Sequence, residues 1–96
     1  MSKEHEVTLQ KIDREDLYAT VAAEVNDKRE LVVFSYDVGR TVGEFLGRDE
    51  SERWVTVKSE NVPRVLLELM RERFTDQAGF VAWLATHDIP METMTW

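Results

Sequence analysis

The hydrophobic pattern of the chain changes period at Ser59. Before Ser59, apolar and polar residues alternate, most clearly at Val32, Phe34 and Tyr36, which is the period of a half-buried strand. After Ser59, apolar residues recur at the three- and four-residue spacing of one helix face. This order predicts an α+β fold: an antiparallel sheet of four or five strands with two C-terminal helices packed on one face.

Alternating segments predict the strands. The first of them has no clearly apolar face, whereas the others alternate and are rich in valine and aromatic residues. The predicted strands are 7–12, 17–25, 30–37 and 53–59, with 91–96 as a fifth strand if the chain returns to the sheet.

The turn between the second and third strands fixes how these strands pair. A two-residue turn centred on 27–28 predicts that Ala23 lies opposite Val32. In the same register, Val21 lies opposite Phe34. Small residues of one strand then face large residues of the other, which favours this pairing.

The same register defines a second sheet face that two helices on the first face do not reach. This face is predicted to carry Leu31, Val33, Trp54, Tyr18 and Ala22. Either the N-terminal segment and residues 38–46 cover this face, or part of it stays open. An open apolar patch on a small protein usually marks an interface, so an open face predicts a protein partner or self-association, the latter through a twofold pairing.

Glycine recurs every four residues between the third and fourth strands, at Gly39, Gly43 and Gly47. Apolar residues at helical spacing predict a short helix or a single helical turn within 38–46, and an acidic loop is predicted at 48–52. A phosphate-binding loop needs Lys and then Ser or Thr after its second glycine. Here Glu44 follows Gly43, and its carboxylate would repel phosphate.

The residues beside these glycines define an alternative hypothesis, a small enzyme or ligand-binding protein. They are Tyr36, Asp37, Arg40 and Glu44. The sequence indicates no catalytic residue, no cofactor and no metal site, since neither His5 nor His87 has a second His or Cys placed to share a metal. A concave pocket with converging polar groups would favour ligand binding, and a flat, filled surface would favour a non-catalytic protein-interaction module. The interaction module is the first hypothesis.

Two helices are predicted after the strands. The first ends near Phe74, and the second begins at a cap residue, Thr75 or Asp76. Leu66 and Leu69 lie at the centre of the apolar stripe of the first helix, so both are predicted to lie in the core.

Length and residue usage predict one domain over 1–96, with 1–6 disordered. The sequence has no cysteine, which excludes disulfides and thiolate metal sites. The start is polar without an apolar targeting run, and no stretch is long enough to span a bilayer. These features predict a cytoplasmic protein, because small secreted domains usually depend on disulfides.

The net charge of −7 comes from 19 acidic against 12 basic residues, with the bases interleaved among acids. Without a basic face to displace counterions, the chain is predicted to bind neither nucleic acid nor an anionic membrane surface. The acidic balance allows a basic partner. An acidic inhibitor or immunity-type protein is therefore one form of the interaction hypothesis, and it requires a clustered acidic face with aromatic anchors.

Several segments resemble small bacterial proteins of unknown function. They are FVAWLATHDIP at 80–90, Trp96, Tyr36-Asp37 and WVTV at 54–57. The resemblance spans roughly the last two-thirds of the chain. It implies a bacterial source and brings no activity, cofactor or site residue with it.

Overall fold

The computed structural model of the chain describes residues 5–39 and 49–95. Within them lie four strands followed by two helices, which is the predicted α+β arrangement. The strands are β1 (Glu6–Asp13), β2 (Leu17–Val25), β3 (Leu31–Gly39) and β4 (Asp49–Val57), and the helices are α1 (Val62–Arg73) and α2 (Gln77–Thr86). Residues 91–95 form no strand, so the prediction of a fifth strand there is wrong.

The four strands form one antiparallel sheet in the order β1-β2-β3-β4. Each strand pairs with the strand before it in the chain. Ala22 lies opposite Phe34, whereas the sequence predicted Val21 in that place. The predicted register of the β2–β3 hairpin is therefore wrong by one residue.

The turn between β2 and β3 explains this shift. The loop has three residues, because Asn26 and Glu30 still pair: the Asn26 N–H donates to the Glu30 carbonyl at 3.0 Å. Arg29 adopts a left-handed conformation (φ 62°), as in hairpins built from a type I turn and one left-handed residue. The Asn26 side-chain oxygen accepts hydrogen bonds from the N–H groups of Lys28 (3.0 Å) and Glu30 (2.9 Å) and so stabilises the longer loop.

The Glu30 carboxylate, at the end of this turn, contacts two donor groups. The Asn26 side-chain amide donates to Glu30 at 3.1 Å, and the Lys58 ammonium lies 3.3 Å from the other Glu30 oxygen. The Asn26 hydrogen bond, followed by the Lys58 contact, lowers the pKa of Glu30 from its ordinary value of 4.5.

Glu30→Gln is expected to reduce the loss of stability in acid. The unfolded chain binds the Glu30 proton at a higher pH than the folded chain. The contribution of Glu30 is therefore full above its ordinary pKa of 4.5 and is lost as the pH falls through the lower folded value. Thermal unfolding from neutral pH into this acid range measures the pH dependence of stability. It is compared for the wild type, Glu30→Gln and the exposed-site control Glu60→Gln. Identical acid dependence in all three proteins would contradict it.

The observed register gives the sheet two different faces. The aromatic face carries four aromatic side chains, those of Tyr18, Phe34, Tyr36 and Trp54. The opposite, aliphatic face carries mainly small and branched side chains: Val21, Ala23, Leu31, Val33, Val55 and Val57. Among the sheet residues whose side chains are described, Val32 is the buried one; it is 9% exposed and lies on the aromatic face.

A β-bulge in β1 explains why its sequence shows no clear alternation. The pairing with β2 skips one residue between Thr8 and Gln10, so Leu9 is an extra residue in the strand. As a result, Val7 and Ile12 lie on the same, aliphatic face, although their spacing of five residues would place them on opposite faces of a regular strand.

Strand β4 begins earlier than the sequence indicated. The sequence predicts an acidic loop over 48–52, but residues 49–52 pair with the end of β3, for example Glu52 with Tyr36 and Glu50 with Val38. The acidic-loop prediction is wrong because this pairing supplies backbone hydrogen bonds that local composition does not reveal. The predicted helix over 38–46 starts with two residues that belong to β3, and 40–46 lie outside the described residues.

Helix α1 ends directly before Phe74, and α2 follows an Asp76 cap, both as predicted. A 3₁₀ turn, Ser59–Asn61, precedes α1, and Pro63 lies in the first turn of α1, where a missing N–H is tolerated. The Asp76 side chain caps α2 by accepting a hydrogen bond from the Gly79 N–H at 2.7 Å. Among the described residues, no helix is long and apolar enough to cross a membrane.

The strands belong to one compact unit, Met1–Pro63, and α2 with most of α1 belongs to another, Arg64–Trp96. In the helical unit the Phe74 ring contacts those of Phe80 and Trp83, with centroids 5.3 and 5.8 Å away. Leu84 is buried in this unit, at 9% exposed.

The prediction that Leu66 and Leu69 lie in the core is wrong. Their side chains are 58% and 56% exposed. Ring contacts join α2 to Phe74, just after the end of α1, whereas the two leucines lie earlier in α1, before these contacts. Helical spacing identified an apolar stripe, but it did not say how much of that stripe a neighbouring helix covers.

Candidate functional site

The structure separates the residues that the sequence grouped as an interaction patch. Trp54 lies on the aromatic face, together with Tyr18 and Ala22 as predicted, but Leu31 and Val33 lie on the aliphatic face. The grouping of Leu31 and Val33 with Trp54 is therefore wrong. Because side chains alternate along a strand, the one-residue shift at the turn reverses the faces of β3 relative to its neighbours.

Two residues of the alternative ligand site, Tyr36 and Asp37, belong to the described part of the chain. Tyr36 lies on the aromatic face and Asp37, its neighbour in β3, lies on the aliphatic face. Arg40 and Glu44 lie outside the described residues. No group of three or more His, Asp or Glu residues that could hold a metal ion occurs in the described part of the chain.

The aromatic face is built around two pairs of rings. The centroids of Phe34 and Trp54, which are cross-strand partners, lie 4.9 Å apart with the rings tilted by 42°. Tyr18 and Tyr36 pack edge to face at 6.2 Å. Trp54 is 58% exposed, so much of its indole surface stays open to solvent although one side is supported by Phe34.

Carboxylates flank these rings. On the described part of the aromatic face, strand pairing places five carboxylates and one ammonium group, that of Lys11. The carboxylates are those of Glu6, Asp13, Glu24, Glu50 and Glu52. The Tyr36 hydroxyl donates a hydrogen bond to Glu50 at 3.0 Å. On the described part of this face, acidic side chains therefore share one surface with the four aromatic side chains.

Sequence reasoning missed this cluster because its members are far apart in the chain. Glu6 and Glu52 come from the two outermost strands, and Glu24 comes from an inner one. One local signal was available, the alternation of Glu50, Glu52 and Trp54, which indicates a strand with acids and an aromatic ring on one face. The predicted boundary between the acidic loop at 48–52 and the strand at 53–59 divides this alternation and so hides it.

A shallow hollow of about 290 Å³ lies beside the Phe34–Trp54 pair. The hollow is bordered by Glu6, Glu24 and both rings, and Ala22 also lines it. Glu6 and Glu24 are direct cross-strand partners, a placement in which like charges repel. Among the described residues, no ion pair joins either carboxylate to a cation.

A second concave surface lies in the helical unit. It is an apolar groove of about 800 Å³ between α1 and α2. Its lining includes Leu66, Leu69, Met70, Phe80, Trp83 and Leu84. The groove explains the exposure of Leu66 and Leu69, but its nearly uniform apolar lining does not indicate the chemistry of a partner.

Comparison with protein-family models, curated proteins and solved structures finds no match to this chain.

Proposed function

We propose that this protein is a non-catalytic, cytoplasmic protein-interaction module whose aromatic face binds a basic segment of another protein. The observation that carries the proposal is the placement of four aromatic side chains among carboxylates on one face of the sheet. The absence of cysteine from the sequence fits a reducing compartment.

The aromatic rings supply the apolar part of such an interface. Trp and Tyr are enriched among the residues that contribute most to binding, because they bury a large area with few rotatable bonds. The Trp54 indole is largely exposed, and its contact with Phe34 restricts its orientation before a partner arrives. This restriction lowers the entropy lost on binding.

The carboxylates define the charge of the partner. A negative face attracts a surface of complementary potential and speeds its association. The same charges oppose a twofold pairing of this face with itself, since the acids of two copies would face each other. We therefore assign the face to a different, basic protein, as in the acidic inhibitor or immunity-type form of the interaction hypothesis.

Trp54→Ala is expected to weaken binding of a basic peptide about tenfold, because it removes the most exposed aromatic anchor. The probe is a short peptide of Lys, Ala and Gly with one central Arg, and its control carries Glu at each basic position. Calorimetric titration of the full-length protein measures both affinities. Equal binding of the two peptides, or no change in the variant, would contradict the proposal.

A matched pair of charge variants separates recognition by this face from general attraction to an acidic protein. Glu24→Gln with Glu52→Gln removes two charges from the aromatic face, whereas Glu60→Gln with Glu92→Gln removes two charges outside the sheet. The first variant is expected to weaken peptide binding and the second to leave it nearly unchanged. Equal weakening by both would show attraction through net charge alone.

A further inference from the structure

The hollow beside Phe34 and Trp54 adds detail to the proposed function. At about 290 Å³ it lies just below the range of about 300–1,000 Å³ that small-molecule sites occupy. It is open on the solvent side, and two aromatic and two acidic residues are among those that line it. Its size and lining fit one side chain of a partner better than a cofactor.

We infer that this hollow receives a single arginine side chain of the basic partner. This inference rests on the proposed function and names the side chain that the same face recognises. The guanidinium group lies flat against the Phe34–Trp54 rings and donates hydrogen bonds to the carboxylates of Glu6 and Glu24.

Arginine fits this geometry for two reasons. Its guanidinium group is planar and stacks on aromatic rings, and its five N–H donors can serve two carboxylates at once. A lysine ammonium group is compact and strongly hydrated, so it gains less from stacking and orients less specifically. The positive charge of the guanidinium group also offsets the repulsion between Glu6 and Glu24. These two residues are cross-strand partners, and neither binds a cation among the described residues.

Ala22 makes the hollow possible. It lies between Thr8 and Phe34 in the row of the sheet that also contains Trp54. The small methyl group leaves room beside the Phe34 ring, so Ala22→Leu is expected to fill that space. Ala19→Leu is the matched control, since it makes the same change in the same strand on the aliphatic face.

The test compares two peptides with two proteins. One peptide is the Lys, Ala and Gly peptide with a central Arg, and the other has Lys at that position, so the charge is the same. In the wild type, the Arg peptide is expected to bind about fivefold more tightly. In Ala22→Leu this preference is expected to disappear, whereas Ala19→Leu should retain it. Calorimetry measures the affinities, and proton NMR shifts of the Phe34 and Trp54 rings locate the guanidinium group.

Circular dichroism will show whether Ala22→Leu folds. If it does not fold, Glu6→Gln provides a second test of the preference for Arg. Glu6 is exposed in β1, and its loss is expected to reduce the preference for Arg over Lys. Equal binding of the two peptides to the wild type, or a preference that survives both Ala22→Leu and Glu6→Gln, would overturn the arginine inference and leave the proposed function intact. Failure of both peptides to bind would instead overturn the proposed function.

Discussion

Leu84→Ala is expected to lower the free energy of unfolding by about 2–5 kcal/mol. Leu84 is buried in the helical unit, at 9% exposed, and it follows Trp83 of the ring cluster. Truncation removes buried apolar surface and leaves a cavity that the neighbouring rings fill only in part. Urea unfolding followed by tryptophan fluorescence measures the loss.

Leu69→Ala is the matched variant for this experiment. It removes the same atoms from a side chain that is 56% exposed, so the expected loss is below about 1 kcal/mol. If Leu69→Ala destabilised the protein as strongly as Leu84→Ala, the leucine would be covered in solution and the groove between α1 and α2 would be closed. Equal, small losses from both variants would show that Leu84 is not a core residue.

Asn26→Ala is expected to destabilise the protein by about 1–3 kcal/mol. The substitution removes two hydrogen bonds from backbone N–H groups to the Asn26 side-chain oxygen and a third from its amide to Glu30. It also removes the group that fixes the three-residue loop between β2 and β3. Thermal unfolding measures the loss, and cross-strand contacts between Ala22 and Phe34 in NMR spectra report the register.

Asp27→Ala is the control for the turn. Asp27 is an exposed neighbour in the same loop, and its replacement is expected to change stability by no more than about 0.5 kcal/mol. Equal effects at Asn26 and Asp27 would show that the side-chain hydrogen bonds of Asn26 do not stabilise the turn.

The helices could be predicted from the sequence because their signals are local. Apolar spacing, Pro63 in the first turn of α1 and the Asp76 cap of α2 each depend on residues within one or two turns of each other. The exposure of Leu66 and Leu69 could not be predicted in the same way. It depends on which side chains of α2 reach α1, and these contacts are not encoded in the period of either helix.

The register between β2 and β3 depends on one backbone conformation for which the sequence gives no local signal. Gly and Asn adopt left-handed conformations most readily, yet the residue with φ 62° in the β2–β3 loop is Arg29. A two-residue turn was therefore the natural prediction. The extra loop residue reverses the faces of β3, and this separates Leu31 and Val33 from Trp54.

The candidate site was harder to predict than the fold because it depends on strand order as well as register. Glu6 faces Glu24 only because β1 pairs with β2, and the acids of β4 join them on one face only in the observed register. The sequence showed an acidic chain with exposed aromatic residues, but the clustering of acids around rings is a property of the paired sheet.

The bulge in β1 also affects how readily copies of the protein aggregate through the edge of the sheet. β1 is an outer strand of the described sheet, and an outer strand offers backbone groups to which another strand can add. The bulge at Leu9 interrupts the regular spacing of these groups, and the charge of Lys11 follows it two residues later. A strand from another copy cannot form a regular hydrogen-bond ladder along the whole of β1. The bulge that removes the clear alternation from the sequence of β1 therefore also makes its edge a poor template for aggregation.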